Sequence, residues 1–430
     1  MHIQTDRALV PADTRSVRYL HVTITAPSAP PRAEKPRPAV DVALVLDRSG
    51  SMHGTKIGMA RAAASHALRL LTRRDHFAVV AYDDQVDTVQ GRASATRDAV
   101  AQALHRLEQV DARGATNLAD GWMRGADEVR SGRATLGSDG RPAAADIRRV
   151  LLLTDGLANR GVTDPEALAT LARTLREAGI TTSTFGVGAD FDETLLARLA
   201  QQGGGHFYYI ESPTQIPDLF ASELGEALEV VARDVRVEVA VPGGAAWVLQ
   251  DLPAEVTATG VHIRLGDLVA DQQVQFIVAV GLEPVLSLGE DVMVRCRVWD
   301  QGGVFAPQPL EVPWRVADAQ ACEAQPVNLE VIRAVAAAVD ARARLHALAA
   351  NRRGDYREAR RLLEAALQEL SALAADDPVV VALMAGLRVE QQELAHDIGP
   401  RRRKARHFAL YAISESRTVE GKAKRRPSVS

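Results

Sequence analysis

The sequence predicts an α/β unit, a doubly wound and mostly parallel sheet, inserted in an antiparallel β-sandwich and followed by a helical hairpin. Three observations carry this reading. From 39 to 229, near-continuous aliphatic runs alternate with helical patterns, and strands apolar on both faces belong to parallel sheets covered by helices. From 230 to 316, short strands are punctuated by Gly and Pro with no helices between them, the pattern of an antiparallel sandwich. From 325 to 397, apolar residues recur at helical spacing, as in a hairpin or small bundle.

Taken in order, residues 18 to 25 alternate in polarity with β-branched and aromatic members, the period-two signature of a half-buried strand. Residues 26 to 38 hold Pro27, Pro30, Pro31, Pro36 and Pro38, a stiff linker that supports neither helix nor sheet ladder. The strand within 1 to 25 therefore has no sheet of its own, and the sandwich after residue 230 is its expected host. Apolar strands are expected at 40–47, 77–82, 150–154, 182–187 and 206–210, with helices at 57–71, 117–129 and 214–229. Thr163 with Glu166 and Pro165, and Asp190 with Glu193, read as capping boxes opening helices at about 164–178 and 191–202. Residues 131 to 146, rich in Gly, Ser, Asp and Pro, read as an exposed loop. Sandwich strands are expected at 235–241, 262–265, 273–280 and 292–298. Gly354 to Ala359, with Leu362, Leu363, Ala366 and Leu367, resembles a fragment of a tetratricopeptide-like hairpin. One copy is too few for a solenoid.

Hydrophobic residues at 47% and charged residues at 25% are ordinary for a globular chain of this length and argue against disordered and fibrous classes. The opening residues lack the basic start and apolar run of a secretory signal, and no apolar stretch is long enough to span a bilayer; a cytoplasmic protein is expected. Cys296 and Cys322 are expected to be reduced. The net charge of -4 conceals a basic end: ten Lys and Arg follow residue 400 against Glu415 and Glu420. Residues 398–430 are therefore expected to form a flexible basic tail, with Arg401 to Arg406 meeting an acidic surface. Nucleic acid is disfavoured, since only Phe408 and Tyr411 could stack on bases.

The chemistry concentrates at strand ends. Asp47-Arg48-Ser49-Gly50-Ser51 follows an aliphatic strand, at the carboxyl edge where open α/β sheets bind ligands. Alternate residues there bring one carboxylate and two hydroxyls toward one point, a set of hard oxygens too small to complete an octahedron. Gly114-Ala115-Thr116-Asn117 and Thr154-Asp155-Gly156 offer further oxygens at the same edge. Ser-Gly-Ser after a strand is also ordinary turn chemistry, in which Asp47 would cap the next helix or order its own turn. Arg48, Met52 and His53 read as solvated or packing residues at the rim. Asp83, Asp84 and Asp87 read as a polar turn, and His206 as a packed strand residue outside any zinc pattern.

Together, Leu46 to Met52, Gly114 to Asn117 and Leu153 to Gly156 resemble the three loops of the metal-ion-dependent adhesion site in von Willebrand factor type A domains, over about residues 39 to 229. Phe185-Gly186-Val187-Gly188 matches the family's late strand. The resemblance implies that Asp47, Ser49, Ser51, Thr116 and Asp155 hold a divalent ion, Mg2+ first, with Ca2+ or Mn2+ as substitutes. It implies direct ligation by Ser49, Ser51 and, with ligand bound, Thr116, while Asp47 and Asp155 act largely through waters. A protein partner's Asp or Glu would then complete the coordination.

Other function classes are weaker. A haloacid-dehalogenase-type phosphatase needs a second Asp where Ser49 stands, and a serine hydroxyl does not exchange protons near neutral pH as a tuned carboxyl does. Neither a phosphate loop nor a nucleophile elbow occurs; an enzyme is not expected, and an Mg-dependent hydrolase ranks last. The alternative is a structural scaffold or adaptor subunit of an ATPase or kinase/phosphatase complex, with the metal incidental.

Overall fold

The N-terminal segment folds into β1 (His2–Thr5), β2 (Leu9–Pro11) and β3 (Ser16–Thr25), and the alternation in β3 puts Leu20, Val22 and Ile24, all fully buried, on one face. The computed structural model of the chain describes residues 1–29, 38–131, 147–284, 287–306, 308–374, 376–418 and 420–426. Most of the Pro-rich linker, nearly all of the 131–146 loop and the last four residues lie outside them. The chain divides into two units, one of Ala29–Val230 with Pro400–Phe408, the other of Met1–Ser28, Val231–Gly399 and Ala409–Ser430.

The first unit runs β4 (Val40–Asp47), α1 (Thr55–Leu70), β5 (His76–Tyr82), β6 (Val86–Ser94), α2 (Arg97–Glu108), α3 (Leu118–Arg130), β7 (Ile147–Thr154), α4 (Pro165–Glu177), β8 (Ile180–Val187), α5 (Glu193–Gln202), β9 (Gly204–Ile210) and α6 (Ile216–Ala227). Its sheet has the order β6-β5-β4-β7-β8-β9, parallel except for β6. This is the predicted doubly wound sheet, with an antiparallel edge strand that the aspartates before it had disguised as a turn. All eight residues of β4 are buried, as a central strand covered on both faces requires. After β4 the chain moves to β5 on one side and later to β7 on the other, so the β4/β7 boundary is the topological switch point.

Helix α3 approaches the sheet closely because it presents glycines at successive turns. A Cβ on Gly121 would run into the Tyr82 ring, and one on Gly125 into Val45 Cγ2. Gly125→Ala gains about 1 kcal/mol of helix propensity but forces apart a packed layer at a cost of about 1–3 kcal/mol. A net loss of stability is expected in urea denaturation; a stabilised variant would contradict the close approach.

Two helix starts differ from expectation by one or two residues. Asp164, not Thr163, caps α4 by accepting from Ala167 N, and Asp192, not Asp190, caps α5 by accepting from Leu195 N. Each cap directly precedes its first helical residue, and Pro165 with its fixed φ suits N1 of α4.

A buried polar network holds α6 on the sheet. Arg149 of β7 pairs with Glu223 of α6, both essentially without solvent exposure. Glu223 also accepts from Ser183 Oγ at 2.6 Å and Tyr208 OH at 2.7 Å, and lies 3.0 Å from His206 Nδ1. His206 is thus a strand residue as expected, but one tied into this network. Its cluster with Glu223 and Glu226 brings possible ligand atoms within 4.8 Å of one another; the Arg149 guanidinium already supplies Glu223 with its counter-charge.

The second unit adds β10 (Val230–Ala240), β11 (Gly244–Val248), β12 (Ala254–Thr257), β13 (Gly260–Val269), β14 (Gln273–Leu282), β15 (Asp291–Trp299) and β16 (Leu310–Ala317). Sheets β1-β3-β14-β11 and β12-β13-β10-β15-β16-β2 face each other. The isolated strand finds its sheet here: β3 pairs with β14 over ten residues, from Thr25 opposite Gln273 to Ser16 opposite Leu282. Phe276, Val278 and Val280 of β14 enter the core between the sheets, whereas Ile277 and Ala279 enter a second core beneath helices. Those helices follow α7 (Ala319–Ala324) and are α8 (Leu329–Arg352), α9 (Tyr356–Ala374) and α10 (Pro378–Glu393). Of the two expected forms, hairpin or small bundle, the chain takes the larger, a three-helix layer, because β14 is apolar on both faces and needs a cover on its outer side. Cys296 and Cys322 are both free and buried, and burial pushes the Cys296 thiol up to about 12.

The expected flexible tail is instead largely built into the fold. Residues Pro400–Ser414 form α11. Within the first unit, Lys404 is 2% exposed and donates to Phe191 O at 2.5 Å and Glu193 Oε2 at 2.6 Å, while Arg403 reaches Glu193 Oε1 at 3.2 Å. The acidic group that this basic run meets is thus in its own chain. Farther on, Ser416 Oγ and Lys424 O bond to the backbone of Gln275 and Gln273 in the second unit. Among the described residues no helix is long and apolar enough to cross a membrane.

Candidate metal centre

Asp47 ends β4 and Thr154 ends β7, and the two strands are hydrogen-bonded neighbours with Leu46 opposite Leu153. The switch point thus places the Asp47 and Asp155 loops side by side. The third loop is tied in by backbone bonds: Gly50 N donates to Gly114 O at 3.0 Å, Arg113 N to Arg48 O at 2.6 Å, and Asn159 N to Thr116 O at 3.3 Å. Asn159 Oδ1 returns the last contact by accepting from Thr116 N at 3.0 Å. Three segments distant in sequence are fixed to one another before any ligand is considered.

The side chains converge inside this frame. Ser49 Oγ lies 3.1 Å from Ser51 Oγ, and Ser51 Oγ donates to Asp155 Oδ1 at 2.6 Å. Asp47 accepts from Ser49 N at 2.7 Å through one oxygen and from Thr154 Oγ1 at 2.6 Å through the other. A Cβ on Gly156 would sit 3.4 Å from Thr116 Oγ1 and 3.7 Å from Ser51 Oγ, so both hydroxyls border one small space that the glycine leaves open. Asp47, Ser49, Thr116 and Asp155 are buried, and Ser51 is at the surface. Burial pushes the Asp47 carboxyl up to about 6, and the nearby Asp155 charge adds to the rise. Two carboxylates and three hydroxyls form an all-oxygen donor set suited to a hard divalent cation, and the two negative charges are the natural counterweight to it.

Of the rim residues, Met52 and His53 take the expected packing and solvated roles, and Arg48 differs. Met52 is fully buried and His53 is exposed. Arg48 is 6% exposed and pairs with Asp83 at 3.2 Å and Asp87 at 2.6 Å, while Arg113 reaches the same Asp83 oxygen at 2.8 Å. The aspartates after β5 are therefore more than a polar turn: two guanidinium groups occupy their charge and brace the first loop against the second. Lys56, which the sequence did not single out, places its ammonium 2.5 Å from Asp155 Oδ2. Thr154 and Asn159, which orient Asp47 and Thr116, also escaped notice. Thr154 lay inside the recognised Thr-Asp-Gly motif, whereas Lys56 and Asn159 belong to no spacing pattern.

Residues 41–222 match the family model of the von Willebrand factor type A domain, and with the sheet and loops above this region is such a domain. Among curated relatives, the uncharacterized protein YfbK of Escherichia coli K12 is 29% identical over 210 residues, covering 48% of this chain and 35% of its own length. The uncharacterized protein sll0103 of Synechocystis is 24% identical over 306 residues, 68% of each chain. This chain thus spans about a third of YfbK and about two thirds of sll0103. A solved structure, a von Willebrand factor type A protein from Catenulispora acidiphila, aligns with a TM-score of 0.68 at 18% identity, covering 99% of this chain and 97% of that one. At that identity the likeness concerns the fold, and it extends over both units.

Proposed function

We propose that the type A domain is a metal-dependent protein-binding module, in which Asp47, Ser49, Ser51, Thr116 and Asp155 hold Mg2+ and a partner's Asp or Glu completes its coordination. The observation that carries this is that the Ser51 and Thr116 hydroxyls border one small space beside Gly156, with Ser49 and Asp155 in contact with Ser51 and Asp47 held by Ser49 N and Thr154 in the same loops. When bound, the cation would supply an electrophilic centre for an incoming carboxylate, since Mg2+ favours six oxygen ligands and commonly retains exchangeable waters. The chain's own part is to position the donors. Thr154 and Ser49 N orient Asp47, Asn159 holds the Thr116 backbone, and the Arg48–Asp83–Arg113 bridge fixes the loops that carry Ser49 and Thr116. Neutral hydroxyls among the ligands leave the cation's charge only just compensated, which favours an anionic partner group.

Partner capture from a lysate with immobilised protein, in Mg2+ and in chelator, tests the reading. Binding is expected in Mg2+ alone. Thr116→Ala is expected to weaken capture more than it weakens metal uptake measured by calorimetry. Capture that survives chelation unchanged would replace this reading with that of a scaffold whose metal is incidental.

A further inference from the structure

We propose that Lys56 is a resident counter-cation of this centre, a side chain that pairs with Asp155 and competes with a divalent cation for it. The inference rests on the metal reading above and concerns how strongly that site binds its ion. Lys56 Nζ lies 2.5 Å from Asp155 Oδ2, and Ser51 takes Asp155 Oδ1 at 2.6 Å. Both oxygens of this buried carboxylate are therefore engaged, one of them by a full positive charge.

The location of Lys56 is costly unless it serves the site. It is the second residue of α1, a helix whose first turn has no acidic residue and whose cap, Gly54, provides no side-chain acceptor. A cation there faces the positive end of the helix dipole and a set of unsatisfied N–H groups. Asp155 compensates, and the lysine in turn relieves the repulsion between Asp155 and Asp47, two carboxylates in one poorly solvated cradle. A divalent ion brought among the five donors changes that balance. Asp47 and Asp155 together carry two negative charges, so the ion alone neutralises them and the ion plus Lys56 leaves a surplus positive charge. Like charges that share one buried carboxylate repel strongly where water is scarce.

The side chain has a way out. It is 25% exposed, against 0% for Asp155, and its four-carbon stem is flexible. Gly188 contributes only backbone beside the ammonium, where an added Cβ would stand 3.7 Å from Nζ. Its partial exposure and flexible stem give Lys56 a route to solvent.

The test is Mg2+ and Mn2+ titration by calorimetry of wild type, Lys56→Met and Lys56→Arg, with melting in chelator and in Mg2+. Lys56→Met is expected to bind Mg2+ about tenfold more tightly, the factor expected from one partly screened like charge. It should also melt lower in chelator and gain more from Mg2+ than wild type does. Lys56→Arg should retain wild-type affinity. Lys56→Gln provides a second neutral variant, with the same expected gain, if Lys56→Met does not fold. Neutral variants that bind as wild type does, or more weakly, overturn the counter-cation role and leave the metal reading standing. If neither wild type nor the neutral variants bind Mg2+ or Mn2+, the metal reading falls and this inference falls with it.

Discussion

Arg149→Met is expected to cost about 3–5 kcal/mol of stability, because it leaves the Glu223 carboxylate buried without its counter-charge. Arg149 and Glu223 are 2% and 0% exposed, so water cannot take over. Ser183 and Tyr208 would still donate to Glu223, but neutral hydroxyls do not replace a guanidinium. The double variant Arg149→Met with Glu223→Gln should recover much of the loss, since removing both charges removes the desolvation cost as well. Urea denaturation of the four proteins forms a complete cycle. A single-variant loss below about 1 kcal/mol, the range of exposed pairs, would mean that the network contributes no more than a surface bridge.

Asp47→Asn is expected to abolish the heat of Mg2+ binding while the far-UV circular dichroism stays that of wild type. The amide has the same shape as the carboxylate and can still accept from Ser49 N, and the Thr154 hydroxyl can turn to accept from the new NH2 group. The one change that matters is the loss of a negative charge where a 2+ ion would sit. Since loss of a group that merely orients a ligand lowers metal affinity about 10–100-fold, a loss of about 100-fold or more is expected here. An unchanged binding heat would place the ion elsewhere or nowhere.

Much of the architecture was legible in the sequence because its signals are local. The six aliphatic residues of β4, the alternation in β3 and the Gly- and Pro-punctuated strands after 230 each state their environment within ten residues. The three loops were legible for the same reason: carboxylates and hydroxyls crowd the ends of apolar strands. What escaped was chemistry that exists only between distant segments. Nothing near Asp83 announces that Arg48 and Arg113 will neutralise it. Lys56 looks like any lysine on a helix until β7 brings Asp155 to it. The basic run after residue 400 masked α11, because its charge reads as a solvated tail while the residues that bury, among them Lys404, His407, Tyr411 and Ala412, include a lysine and a histidine and form no clear apolar stripe. Caps were misplaced by one or two residues where several Asp and Thr stand together, since each can accept the same N–H.

The pairing of β3 with β14 also sets a clock. Thr25 and its neighbour Gln273 are separated by 248 positions, so at about 5–20 residues per second the ribosome needs roughly 12–50 s to supply the partner. Glu193 waits similarly, across 211 positions, for the ammonium of Lys404. During that interval Leu20, Val22 and Ile24 form an apolar ridge with open backbone edges, the kind of surface that nascent-chain chaperones bind and that aggregates recruit. Production of this protein at speed should therefore suffer first at its N-terminal strand.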